Sequence, residues 1–166
     1  MTTQEFNRNI TNLRPKLTLF ASGFVSIGSA TPEDLVQDAI IKVWAIISSG
    51  NEARNIEALL VKVLKNVCID YSRLKKNSNN EQVQNDVLDE CSPSPQKILE
   101  LRDKVGMLRR TMALLPIEQQ IAMRLRVVMA YDYKQISSIL DTSEGNVRVL
   151  ISRARLTLRD KLTELD

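Results

Sequence analysis

The sequence predicts an all-α protein: two small helical domains joined by a flexible acidic linker, the C-terminal one containing a helix-turn-helix. Three observations carry that prediction. Apolar residues recur at three- and four-residue steps through most of the chain, and no useful stretch alternates as a strand would. Gly and Pro number five each, few for a turn-rich β protein. One segment, 77–96, breaks the helical pattern: it holds Glu81, Asp86, Asp89 and Glu90, no Lys or Arg, and closes on Pro93 and Pro95. The expected domains are therefore 1–76 and 97–166, with 77–96 as the tether.

The N-terminal part reads as three helices. The first runs from about Glu5 into the Phe20–Ile27 stretch, with Leu13, Leu17, Phe20, Ala21 and Phe24 on one side. Ser29 or Thr31 starts the second, because Pro32 suits a first turn and Glu33 and Asp34 suit a helix N-terminus. Leu35, Val36, Ala39, Ile40, Val43, Trp44 and Ile47 form its apolar stripe, and Ser48–Asn51 stops it. The third runs from about Arg54 to Lys76, with Ile56, Leu59, Leu60, Val63, Val67, Tyr71 and Leu74 expected in the core. The C-terminal part reads as four helices: Pro95 to about Leu114, Ile117 to Met129, a short one over Tyr133–Leu140 capped by Asp132, and Glu144 to about Leu162 capped by Ser143.

Composition narrows the chemistry. The chain has no histidine, which removes imidazole-based catalysis and His-dependent zinc sites. Cys68 and Cys91 form no CxxC pair, so free thiols in a reducing, cytoplasmic setting are expected. No segment reads as a signal peptide or membrane span, so no membrane association is expected. No cofactor, metal site or catalytic residue is indicated, and an enzyme is the least favoured reading. Lys and Arg exceed Asp and Glu by only three, so any basic surface must be local.

Two such surfaces stand out. Segment 54–76 nets +4, and Arg54, Lys62, Lys65, Asn66, Arg73 and Lys76 fall on or near the side opposite the expected core, with Ile69 among them. A solvated helix face explains such a run as readily as a phosphate-tracking surface with an apolar element against bases. The last helix is more specific. Two helices joined by Asp141-Thr142 make a helix-turn-helix, whose second helix enters a major groove. Val147, Leu150, Ile151, Ala154 and Leu158 point inward, while Arg148, Ser152, Arg155 and Arg159 project from the other side. Ser143, Gly145 and Asn146 lie at its first turn; Arg148 suits guanine or phosphate and Asn146 suits adenine.

The stretch from Leu115 to Leu162 resembles region four of bacterial sigma factors. The resemblance is carried by Leu115-Pro116, Leu125-Arg126, Tyr133, Ile136, Ile139-Leu140, Ser143-Glu144-Gly145, Val147, Ser152-Arg153-Ala154-Arg155 and Leu158-Arg159. The stretch from Thr31 to Ile46 resembles sigma region two through Glu33–Asp38 and Val43-Trp44, as does Ala58 to Lys76 through Asn66, Asp70 and Arg73. Two regions in this order, with only the acidic segment between them, are similar to the extracytoplasmic-function (ECF) group. The sequence departs from that pattern at Asp141, where Gly is common, and at Leu60, where Trp is common.

The resemblance implies a protein that binds core RNA polymerase, directs it to promoter DNA and helps melt the minus-ten region, with anti-sigma factors as frequent partners. It assigns polymerase contact to Asp34, Gln37, Asp38 and Lys42. It assigns the minus-ten element to the loop 48–55 and the Arg54, Lys62, Lys65, Asn66, Ile69, Arg73 and Lys76 face. The minus-thirty-five element falls to Ser143, Gly145, Asn146, Arg148, Ser152, Arg155 and Arg159. The rival reading is a helix-turn-helix regulator that binds DNA without polymerase; a helical adaptor with no DNA role is a further one.

Overall fold

The computed structural model describes residues 2–25, 30–77 and 95–163, and within them seven helices and no strand. They are α1 (Thr3–Ser22), α2 (Pro32–Ser48), α3 (Ile56–Asn77), α4 (Pro95–Leu114), α5 (Ile117–Val127), α6 (Tyr133–Leu140) and α7 (Glu144–Thr163). The expected tether lies almost wholly outside the described residues. Its ends do not: Asn77 closes α3, and Pro95 and Gln96 open α4.

Local chemistry accounts for the helix starts. Thr31 rather than Ser29 caps α2; its hydroxyl accepts from the Asp34 N–H at 3.2 Å, and the Thr31 N–H donates to the Asp34 carboxylate at 2.9 Å. Thr2 and Glu5 make the same reciprocal pair at α1. Asn55 Oδ1 accepts from the Ala58 N–H, so α3 begins at Ile56, two residues later than expected. Asp132 and Gln135 form the capping box of α6.

Helices α1, α2 and α3 pack on one another, while α5, α6 and α7 pack together with α4 against α7. Phe6, Leu17, Phe20, Val36, Val43 and Leu60 are buried in the first group; Ile121, Leu125, Ile136, Val147, Ile151 and Ala154 are buried in the second. Helix α4 is thinly covered and leaves Leu99, Leu101, Val105 and Leu114 exposed. The groups also touch, through α3 and α6.

That contact corrects the expected core face of α3. Val61, Leu64 and Cys68 are buried although they lie off the expected stripe, and Leu74, expected inside, is 69% exposed. The reason is that α3 is covered by α1 and α2 along one side and meets α6 on another. A helix sandwiched this way buries a wider arc than a one-sided amphipathic helix.

Candidate nucleic-acid interface

The best-defined part of the site is the helix-turn-helix. Helix α6 ends on Asp141, which takes the left-handed conformation at φ 51° and ψ 46°. The Thr142 N–H then donates to the Ser137 carbonyl at 3.0 Å, the six-to-one bond of a Schellman turn. Ser143 Oγ accepts from the Asn146 N–H and opens α7 as expected. Asn146 Nδ2 donates to Thr142 Oγ1 at 2.8 Å, which fixes the amide at the mouth of the first turn.

Along α7 the five expected inward residues are all buried, and Arg148, Ser152, Arg155 and Arg159 are all exposed. Ser143, Gly145 and Asn146 are exposed with them. The Arg148 guanidinium lies 5.2 Å from the Tyr133 ring centroid, and Arg126 lies 5.1 Å from the same ring. One tyrosine thus braces two cations, and Arg148 is held partly ordered before any ligand arrives. Tyr133 carries no charge and lies on a different helix, so a reading for basic residues missed this role.

The α3 surface is less open than its sequence suggests. Arg54, Asn66 and Arg73 are exposed, and Ile69 is half-buried among them. Lys62 and Lys65 instead face the end of α6. Lys62 Nζ lies 3.1 Å from an Asp141 carboxylate oxygen, and Lys65 Nζ donates to the Ile139 carbonyl at 3.2 Å. Lys65 is only 9% exposed. Burial, and then the neighbouring Lys62, push its pKa down, while Asp141 opposes the shift. The side chain of Lys76 lies outside the described residues. Before α3, Ile47, Gly50, Asn51, Glu52, Ala53 and Arg54 line a shallow hollow, which Gly50 shapes with φ 94°.

On α2, Asp34, Gln37, Asp38 and Lys42 are exposed as expected. Asp34 also serves its own helix through the capping box, so it is not free of structural duty. Ile41, not singled out in the sequence, is 57% exposed among them. The signal that marks it is its position off the Leu35–Ile47 stripe. Trp44 is half-buried with its ring 5.0 Å from Phe6, which makes it a packing residue.

Among the described residues there is no cluster of His, Cys, Asp or Glu able to hold a metal ion, and no helix long and apolar enough to cross a membrane. Cys68 is buried, and burial raises its thiol pKa to about 12, with Arg124 opposing. That thiol is chemically quiet.

An all-α chain with a helix-turn-helix at one end and a second cationic helix upstream defines a class of DNA-binding transcription proteins, and comparison places it further. Residues 10–78 match the family model for Sigma-70 region 2, and residues 106–158 match that for Sigma-70, region 4. The chain is 26% identical over 170 residues to the ECF RNA polymerase sigma-E factor of Escherichia coli K12, covering 96% of this chain and 87% of that relative. It is 23% identical over 166 residues to the probable RNA polymerase sigma factor RfaY of Xanthomonas campestris, covering 97% of this chain and 41% of that one. In fold it is similar to the sigma factor RpoE of Bartonella quintana, solved with the anti-sigma factor NepR, at a TM-score of 0.72 and 24% identity, covering 97% of this chain and 98% of that one. It is also similar to CnrH, solved with the cytosolic domain of CnrY, at a TM-score of 0.72 and 19% identity, covering 98% and 90%. The chain belongs to the ECF group of the sigma-70 family, the regulatory proteins that direct RNA polymerase to promoters.

Proposed function

We propose that this sigma factor works through two DNA-binding units, 1–76 and 97–166, each weak alone and made specific when core polymerase fixes their separation. The second unit reads the minus-thirty-five element as duplex, through Asn146, Arg148, Ser152, Arg155 and Arg159, with Ser143 and Gly145 shaping the entry turn. The first unit receives the minus-ten element on Arg54, Lys62, Lys65, Asn66, Ile69, Arg73 and Lys76. Unstacked bases are captured there and at the hollow beside Gly50. Opening costs a few kcal/mol per base, which stacking and pocket contacts offset. Asp34, Gln37, Asp38 and Lys42, with Ile41 among them, form the polymerase face. The exposed leucines and valine of α4 suit a protein partner, an anti-sigma factor included. The working place is the cytoplasm, where polymerase and promoters are.

The observation that carries this reading is the exposed cationic row on α7 above an open first turn, on a chain that also matches sigma region 2. Linking two modest contacts raises the effective concentration of the second, so specificity multiplies without new contacts. The test is reconstitution with core polymerase followed by run-off transcription. Stable core binding and promoter-dependent initiation support the reading. Sequence-specific DNA binding by the free chain, with no effect on polymerase, overturns it in favour of a free-standing regulator.

A further inference from the structure

On the reading of α7 as the helix that enters the minus-thirty-five duplex, we propose that Thr142 is a positioning residue for base readout. Its hydroxyl holds the Asn146 carboxamide in the orientation that pairs with adenine and refuses guanine.

The threonine hydroxyl stands at a fixed point. Asp141 takes the left-handed conformation, and the Thr142 N–H donates to the Ser137 carbonyl at 3.0 Å, so the turn sets the backbone around Thr142. A β-branched side chain has few χ1 choices, and Thr142 is half-buried where Asn146 is exposed. From there Oγ1 accepts from Asn146 Nδ2 at 2.8 Å. The Asn146 backbone is tied down as well, because its N–H donates to Ser143 Oγ at 3.1 Å. An exposed asparagine without such a partner turns about its last bond, a broad two-fold torsion, and presents either end of the amide outward.

The bond decides which end faces the groove. A carboxamide has two N–H donors and one carbonyl acceptor. Thr142 takes one donor, and the Asn146 carbonyl oxygen takes no hydrogen bond among the described residues. One donor and the acceptor are therefore left for a ligand. Adenine presents N7 as an acceptor and its N6 amine as a donor in the major groove, which matches that pair in a bidentate contact. Guanine presents two acceptors, N7 and O6, and sets O6 against the amide oxygen. A free amide escapes that repulsion by turning its NH2 toward O6. An amide held by Thr142 does so only by giving up its hydrogen bond. Holding the amide also lowers the ordering cost of the adenine contact. Arg148 is braced by Tyr133 instead, so readout through Arg148 does not pass through Thr142.

The test uses the full-length protein bound to core polymerase. The holoenzyme selects from a pool of DNA duplexes randomised across the promoter, and sequencing of the bound fraction gives the base preference at each pair. Asn146→Ala marks the pair that Asn146 reads, as the one whose preference disappears. Thr142→Val removes the hydroxyl and keeps the branched shape, while Thr142→Ser keeps the hydroxyl. Thr142→Ala repeats the removal without the second methyl, so the answer does not depend on how the turn tolerates valine.

The wild type is expected to prefer adenine over guanine at the Asn146 pair by about fivefold or more, the range of a bidentate base contact. Thr142→Val and Thr142→Ala should lower that ratio about two- to tenfold, the net contribution of one hydrogen bond, and leave the other pairs unchanged. Thr142→Ser should stay nearer the wild type than Thr142→Val. In the Asn146→Ala background, Thr142→Val should change no preference. An unchanged ratio in Thr142→Val and Thr142→Ala overturns the inference and leaves the reading of α7 standing. So does a wild-type preference for another base at that pair, a loss spread over all pairs, which marks damage to the turn, or a Thr142→Ser variant no better than Thr142→Val. If Asn146→Ala alters no preference, the inference falls for want of its reader. The reading of α7 falls with it only if Arg148→Ala also changes neither preference nor affinity.

Discussion

At the scale of single residues, the clearest expectations attach to Arg148, Gly50 and Cys68. Arg148 is exposed, braced by Tyr133 and placed one turn into α7. Arg148→Ala should weaken holoenzyme binding to upstream-element duplex by about 1–3 kcal/mol, with a base-dependent loss if the guanidinium reads a base edge. A uniform loss with a shallower salt slope marks a phosphate contact instead; titration against a panel of single-base variants separates the two. Gly50 sits at φ 94°, so Gly50→Ala should destabilise by about 1 kcal/mol or more despite the open space around it, as read by denaturant unfolding. The Cys68 thiol has its folded pKa raised to about 12 from an ordinary 9.0. Its contribution to stability is therefore whole below about pH 9 and is lost as pH rises toward 12. Chemical denaturation across that range should show a fall that Cys68→Ala lacks.

At the scale of elements, α6 depends most on its ends. It has eight residues, too short to persist without caps and packing. Removing the carboxylate that accepts from the Gln135 N–H, in Asp132→Ala, should cost about 1 kcal/mol. The same change should reduce minus-thirty-five binding, because α6 sets the approach of α7. Circular dichroism melts and duplex binding measured together test both halves of that statement. Helix α2 has the opposite complication. Asp34 caps the helix as well as standing on the proposed polymerase face, so a loss of polymerase binding in Asp34→Ala mixes two causes. Asp38 and Lys42 are the cleaner probes of that face. The caps were legible beforehand at Asp132 and Ser143 because the pattern is local in sequence. The start of α3 was not, because Asn55 acts as a cap only through one hydrogen bond, to Ala58.

At the scale of the whole molecule, the two helix groups share one apolar cluster through α3 and are also bridged by polar contacts. Tyr131→Phe removes one of them while keeping the ring. It should cost about 1 kcal/mol and lower the thermal midpoint of the free chain by about 2–4 °C. The loss should shrink in the presence of core polymerase if the groups separate there. Differential scanning fluorimetry with and without core polymerase checks this.

Taken alone, the amino-acid order was sufficient for the helices, for their caps at Asp132 and Ser143, for the inward set of α7 and for its outward arginines. Each of these depends on neighbours within a turn or two, so periodicity and side-chain type determine them. The family was legible for the same reason, since its marks are short runs on single helices. Only the tertiary structure decided that α3 is covered on two sides, that Leu74 lies outside while Val61, Leu64 and Cys68 lie inside, and that Lys62 and Lys65 meet α6. Those outcomes bring together residues more than seventy positions apart. A helical wheel shows which residues share a face but not how many faces find a partner.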